Sequence, residues 1–449
     1  MAIEDILGWD VERIFAENVT PDADGKHAYI CGFVQKVRKA GKDLAFVIIK
    51  DRTGDVQITI SRENAPQLID MVSELTPESA VALSGQIKAT DKTKRGVEIL
   101  PAELYVLNKA NTPLPLANTS DIKTSPDTRF DYRYLDLRSP QKALIMRTLT
   151  ETLSAMRNYC LQNKFLEIQS PKIMGAASET GAELFELSNY FGKKAFLAQS
   201  PQFYKQMAIA SGLDRVFEIA PVFRANPSHT SRHDTEFSMF DAEIGWINSH
   251  EDVMKFEESW LSYVIQQVKD KYGKQIKENF GVEITVPKIP FPRITMDEAH
   301  DIVKCAGGRV IPGQDLDAEG EKLVGEYVSK KYGHEFVFIT DFPWAVRPFY
   351  HMRPENNPNI TNSFDLLWKG LEITTGAQRE HRYEKLIAQA KEKGLNPDPI
   401  KWYLDMFKYG APPHGGFGLS PTRVVMQMLN LPHVREATFA YRSPDRLSP

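Results

Sequence analysis

Along residues 27 to 108, apolar and polar positions alternate in short β-rich runs: YICGFVQKV, LAFVIIKD, VQITI, AVALSGQI and VEILPAELYVL. Gly, Asp and charged residues break these runs, a pattern that predicts five strands. In Val56-Gln57-Ile58-Thr59-Ile60 the alternation is strict, so Gln57 and Thr59 share the outward face. The pattern stops over residues 109–128, where Pro113, Pro115 and Pro126 interrupt a stretch without helical period; this predicts a linker. Ile145, Leu149, Leu153, Met156 and Cys160 then step by 4, 4, 3 and 4, the apolar face of a helix. Phe165 to Ile168 reads as a strand stopped by Ser170-Pro171. Further on, strands and helices mix without regular βαβ alternation, which argues for an antiparallel or mixed sheet.

Five strands in about 80 residues is the size of an OB-type barrel, an architecture that often binds single-stranded nucleic acid. The expected organisation is a barrel domain over residues 1–108, a linker or hinge over 109–130 and a larger α+β body over 131–449.

Composition excludes several classes. An apolar share of 42% with 24 Phe and 16 Tyr rules out disorder as the main state. Apolar runs such as Phe46 to Ile49 fall far short of the roughly 18 residues a membrane span needs. The acidic start, MAIEDILGWDVE, lacks the features of a signal peptide. Cys31, Cys160 and Cys305 are too scattered for a disulfide framework or a zinc site. They read as small buried hydrophobes in a reducing cytoplasm. With a net charge of −4, nucleic acid would have to be met by local clusters such as Lys36, Arg38, Lys39 and Lys42, or Lys88, Lys92, Lys94 and Arg95.

Four stretches carry candidate chemistry. In Val216–Trp246, two strand-like runs flank a loop holding Arg232 and His233, and Arg224 ends the first run. Cations at a sheet edge suit phosphate, although an exposed hairpin with scattered charges reads the same way. In FDLLWKGLEITTGAQREHR, Lys369-Gly370 can form a two-residue turn that sets Leu367 opposite Glu372. In a regular ladder Asp365 and Glu372 are then diagonal neighbours on one face, a spacing that suits Mg²⁺, or else two solvated acids. In PPHGGFGLSPTRVVMQML a Gly-rich strand runs through Ser420-Pro421 into a helix with Arg423 on its first turn, a candidate anion site. In LAQSPQFYKQ, Gln202 and Lys205 share a face if helical, and Glu179 lies upstream in the small-residue loop AASETGAEL.

In this order, these stretches resemble the class II aminoacyl-tRNA synthetases, and within them the aspartyl-tRNA synthetases of the archaeal and eukaryotic type. The helix with Pro171 is similar to the family's motif 1, FRANPSHTSRH to motif 2 and GLSPTR to motif 3, while QSPQFYKQ and TTGAQREHR resemble the aspartate branch. The resemblance implies an N-terminal OB-fold barrel that binds the anticodon, followed by a six-stranded antiparallel catalytic sheet flanked by helices. It implies a cytoplasmic homodimer with no membrane partner, using ATP, Mg²⁺, L-aspartate and tRNA(Asp).

By the same resemblance, Arg224 contacts the α-phosphate and the aspartate carboxylate, Arg423 holds the γ-phosphate, and Asn226, Arg232, His233, Asp234 and Ser420 complete the ATP site. Asp365, Glu372 and Thr375 hold the metal, with Thr375 near the amino acid. Glu179 and Gln202 receive the α-ammonium, and Lys205 and Arg379 the side-chain carboxylate. Asp241 orients that pair, and His414 lies beside it. On the barrel, Phe46 stacks on an anticodon base, Gln57 reads the central uridine, and Gln35 and Lys94 reach the third base. Strict family members often place a Trp at the first of these two positions and a Lys at the second; here Lys94 is kept and Gln35 replaces the Trp, and that replacement leads us to expect that tRNA(Asn) is charged too, its product feeding an amidotransferase. Asn226 and Thr422 stand where the family usually has acids. Asparaginyl-tRNA synthetase and a tRNA-binding paralogue without activity are the alternatives.

Overall fold

The structure is a computed structural model that describes residues 7–8, 12–116, 124–176, 183–227 and 234–449. The chain forms two compact units, 1–147 with 448–449, and 148–447.

The first unit holds a closed barrel of strands β1 (His27–Lys39), β2 (Leu44–Lys50), β3 (Asp55–Ser61), β4 (Ala80–Ala89) and β5 (Val97–Asn108), in the order β1-β2-β3-β5-β4. The predicted alternation sets its two faces. Ala45, Val47 and Ile49 of β2 point inward with Val56, Ile58 and Ile60 of β3. Each larger aliphatic contributes about 1.5–3 kcal/mol by leaving water. The register sets Phe46 opposite Thr59 and Ile48 opposite Gln57, so these four share the outer face. β1 is irregular between Val34 and Lys36, and the extra residue there is Gln35.

The second unit is built on an eight-stranded mixed sheet. Its strands in chain order are β6 (Leu166–Glu167), β10 (Arg215–Phe223), β11 (Glu236–Gly245), β12 (Arg293–Thr295), β13 (Phe336–Thr340), β14 (Ser363–Trp368), β15 (Leu371–Gln378) and β16 (His414–Leu419). Strands β7 (Ile173–Met174), β8 (Glu186–Tyr190) and β9 (Lys193–Leu197) form a separate small sheet. The large sheet runs β12-β13-β14-β15-β16-β11-β10-β6. The six strands from β13 to β10 are antiparallel throughout, as expected. The short edge strands β6 and β12 pair in parallel and extend the sheet beyond that expectation. The predicted helix is α1 (Pro140–Gln162), and a 31-residue helix, here α3 after α2 (Gln202–Ala210), covers His250–Phe280. A Ser249–Asp252 capping box starts α3 and left-handed Gly281 ends it. Its Trp260 packs on Phe240 and Phe417 of the sheet, with ring centroids 4.4 and 5.4 Å away. No described helix is long and apolar enough to cross a membrane. Of the cysteines, Cys160 is buried as expected; Cys31 is half-buried and Cys305 exposed on its helix.

The Gly-rich strand β16 has a steric reason. Gly416 pairs with Glu243 and Gly418 with Asp241 across the ladder to β11. A Cβ on Gly416 would overlap Ala242 O and the Glu243 carboxylate, and one on Gly418 would lie 2.9 Å from Asp241 Oδ1. The glycines make room for two carboxylates lying flat against the strand. Gly416→Ala is expected to destabilise the protein by about 1–3 kcal/mol, the range for forced overpacking, read as a lower denaturant midpoint. An unchanged midpoint would show that the strand can give way.

Candidate active site

Two buried cations meet two buried carboxylates above β11 and β16. Lys205 comes from α2, where Gln202 and Lys205 are both buried on the predicted face. Its Nζ lies 3.0 Å from Asp241 Oδ1 and 3.2 Å from Glu243 Oε2. Arg379, just past β15, donates from Nε to Glu243 Oε1 at 3.0 Å and from Nη2 to Gly416 O at 3.0 Å. Glu243 is fully buried and bridges both cations, whereas Asp241 meets Lys205. Burial pushes the Glu243 carboxyl up, but Arg379 and Lys205 outweigh it and hold the group below its ordinary range. Sequence reasoning singled out Asp241 and missed Glu243; the signal was its place two residues on in a strand, hence on the same face.

Beside this cluster runs a buried chain of polar groups. His414 Nδ1 faces Pro412 O at 2.8 Å, and His414 Nε2 lies 2.9 Å from Gln206 Nε2. Gln206 Oε1 accepts from the Tyr403 hydroxyl and from Gln202 Nε2, each at 2.9 Å. His351, also missed, accepts from Arg379 Nη1 at 3.0 Å. That geometry needs a neutral ring, and burial with Arg379 nearby pushes its pKa well down.

The phosphate-binding candidates lie at the strand ends. Arg224 follows β10, half-buried, with its guanidinium 5.5 Å from the Phe237 ring, and its Nε meets no acceptor among the described residues. Arg423 sits on the first turn of α4 (Pro421–Met428), as the sequence predicted, donating to Glu372 O at 3.2 Å. Asn226 Oδ1 accepts from the Glu183 backbone at 3.3 Å, and the hydroxyls of Thr422 and Ser420 are 2.9 Å apart. Burial raises the Asp234 carboxyl to about 6, against the pull of Arg435 at 3.7 Å. Glu179, Arg232 and His233 lie outside the described residues.

The carboxylates assigned to the metal are arranged differently from a regular hairpin. Lys369 and Gly370 have positive φ, +52° and +72°, and Leu367 faces Glu372 as predicted. A bulge follows, because Leu366 pairs with Thr374 and leaves Ile373 as an extra residue. Asp365 therefore faces Thr375, whose hydroxyl donates to Glu372 Oε1 at 3.3 Å. Asp365 is buried and paired through Oδ2 with Arg347 at 2.6 Å, and its Oδ1 has no partner among the described residues. Burial pushes the Asp365 carboxyl up; Arg347 pulls against this and Glu372 adds to it. Among the described residues, no three His, Cys, Asp or Glu side chains form a metal-holding group.

On the barrel, half-buried Phe46 carries the Arg38 guanidinium 4.6 Å from its ring centroid. Gln57 Nε2 donates to Thr59 Oγ1 and Glu98 Oε2, both at 3.2 Å, and the Thr59 hydroxyl donates to Glu98 Oε2 at 2.6 Å. Glu98, unremarked in the sequence, thus fixes the Gln57 amide. Gln35 and Lys94 are exposed, the latter in the β4–β5 loop.

The barrel and the catalytic unit each match a known family. Residues 28–107 match the OB-fold nucleic acid binding domain, and residues 125–441 match the tRNA synthetases of class II (D, K and N). The chain belongs to that class II family of aminoacyl-tRNA ligases. Within it, the chain is 42% identical to the aspartate–tRNA(Asp) ligase of Thermococcus kodakarensis over 97% of its length and 99% of the relative's. It is 43% identical to the aspartate–tRNA(Asp/Asn) ligase of Aeropyrum pernix, over 95% and 96% of the two chains. Among solved structures, the asparaginyl-tRNA synthetase of Pyrococcus horikoshii with asparaginyl-adenylate superposes with a TM-score of 0.90 at 34% identity, covering 98% of this chain and 100% of that one.

His414 yields a pH prediction. Burial pushes its pKa down from 6.5 to about 4. Between these values the unfolded chain binds a proton that the folded chain refuses. The stability this residue supports is therefore full above about 6.5 and is lost as pH falls toward 4. Denaturant titrations at pH 7 and pH 4.5 should show the wild type losing about 2–3 kcal/mol more than His414→Asn. Equal losses would mean that the ring is not held neutral.

Proposed function

We propose that the protein is an aspartate–tRNA ligase that loads aspartate onto tRNA(Asp) and tRNA(Asn). The observation that carries this reading is the buried pair Lys205 and Arg379, held together by Glu243. Both groups present only hydrogen-bond donors, which suits the acceptor-only oxygens of a side-chain carboxylate, whereas an amide would turn its NH₂ against one of them.

The chemistry asks for positioning and charge stabilisation and for no protein nucleophile. The aspartate α-carboxylate attacks the α-phosphate of ATP in line, and pyrophosphate leaves. Arg224 draws the carboxylate and the phosphate together, and Arg423 steadies the γ-phosphate. The terminal ribose hydroxyl of the tRNA then attacks the adenylate carbonyl and AMP departs. Mg²⁺, when bound, neutralises phosphate charge. Glu372, partly exposed and bonded to Thr375, fits as its carboxylate, and the unpartnered Oδ1 of Asp365 fits a bound water. A cytoplasmic homodimer completes the reading.

For the tRNA, Phe46 stacks on an anticodon base and Gln57, its amide nitrogen taken by Glu98, offers Oε1 to the N3–H of the central uridine. The two anticodons share that base. Exposed Gln35 and Lys94 are the groups left to reach the third, and no Trp stands there to discriminate. Relatives of near-equal identity carry both names, tRNA(Asp) and tRNA(Asp/Asn). Aspartate on tRNA(Asn) would then be the substrate of an amidotransferase. The asparagine-specific alternative has the structural likeness in its favour and the second cation against it.

ATP–pyrophosphate exchange without tRNA should proceed with aspartate and run at least about 10⁴-fold slower with asparagine. Comparable asparagine-dependent exchange would overturn the reading. Arg224→Ala should cut exchange by at least about 10²-fold while tRNA binding persists. At one fixed salt concentration, the two transcripts should be charged with efficiencies within about 10²-fold of each other. A larger ratio is what a base-specific contact of about 1–3 kcal/mol supplies, and would mark a discriminating enzyme.

A further inference from the structure

We propose that Gln206 fixes the direction of the Gln202 amide and thereby makes the site demand an α-ammonium on its amino acid. This deepens the reading above and rests on it in that the ligand is an α-amino acid whose ammonium meets Gln202. The direction starts from the backbone. Pro412 O can only accept, so His414 Nδ1, 2.8 Å away, carries the hydrogen. The ring is fully buried and stays neutral, so Nε2 is left as an acceptor. Gln206 must therefore turn its NH₂ to His414, at 2.9 Å. Its Oε1 faces the other way and takes hydrogens from Tyr403 and Gln202, both at 2.9 Å. Having given its NH₂ to Gln206, Gln202 keeps Oε1 as the atom the relay does not use.

No donor meets that oxygen among the described residues. An ammonium has three donors and no acceptor, so a carbonyl oxygen attracts it and an amide NH₂ would repel it. A reversed relay would need either a second proton on His414 or a bare Nδ1 against the Pro412 carbonyl. Both are costly where all four side chains, Gln202, Gln206, Tyr403 and His414, are buried. Gln206 is thus a positioning residue: it touches no reacting atom and acts through Gln202.

The test compares L-aspartate with succinate, which has both carboxylates and no ammonium. Calorimetry on the full chain should show the wild type preferring aspartate. In Gln206→Met that preference should shrink at least about tenfold, through weaker aspartate binding with succinate unchanged within about twofold. Equal weakening of both ligands would show a merely structural role, and an unchanged preference would show that Gln202 keeps its direction unaided; either overturns the proposal. Should Gln206→Met fail to fold, His414→Phe keeps a ring stacked on Phe407 and frees Gln206 to reverse, with the same expected loss of preference. Asparagine is measured alongside. If the wild type binds it as tightly as aspartate, the aspartate reading fails while the relay test stands, because asparagine carries the same ammonium.

Discussion

The catalytic unit depends on one buried carboxylate. Glu243 lies between Lys205 and Arg379 with no exposed surface, and each cation is held by it at 3.0–3.2 Å. In a low dielectric such pairing does little more than repay desolvation, so its value lies in fixing the two cations in one geometry. Removing the carboxylate would leave Asp241 to balance two buried cations, a loss of about 3–5 kcal/mol by comparison with other broken pairs. Neighbouring choices follow from it. β16 must be glycine opposite Glu243 and again opposite Asp241. Arg379 must end its strand where a guanidinium can reach both Glu243 and Gly416 O.

Much of this was legible because the pattern was local. Strict alternation in β2 and β3 separated the inside of the barrel from its outer face, and the period of α1 was plain. The Lys369-Gly370 turn fixed the hairpin, and Ser420-Pro421 marked where β16 gives way to the helix bearing Arg423. The three-residue step from Gln202 to Lys205 put both on one face of α2. What stayed hidden depends on partners distant in sequence. Gln206 and Tyr403 acquire a role only when α2 meets a helix some 200 residues on. His351 looks like any loop histidine until it sits against Arg379. Glu98 reads as a strand acid until it reaches Gln57 on the neighbouring strand β3. The two edge strands are too short to show a period.

The two departures from the family pattern have local partners. Asn226 holds the backbone at Glu183, where Ala225 N also donates to Glu183 O at 3.0 Å, so two bonds tie that point to the end of β10. Thr422 shares a buried hydrogen bond with Ser420 in the first turn of α4. At these two positions, where the resemblance leads one to expect an acid, this chain has short polar side chains that satisfy nearby groups. The field around Arg224 and Arg423 is accordingly more positive than an acid at either place would leave it.

The bulge in β15 sets the phase of the strand. Glu372 and Arg379 are seven residues apart, an odd interval, and an unbroken strand would turn them to opposite faces. The extra residue, Ile373, changes the parity. Thr375 bonds to Glu372 on one side of the sheet, and the two-residue alternation that resumes there carries Arg379 to the same side. Glu372 and Arg379 thus share a surface because of a counting offset. For this strand, losing or gaining one residue is a different kind of change from replacing one. A substitution at Ile373 alters packing, but an indel there would leave every side chain present and set Glu372 and Arg379 on opposite faces.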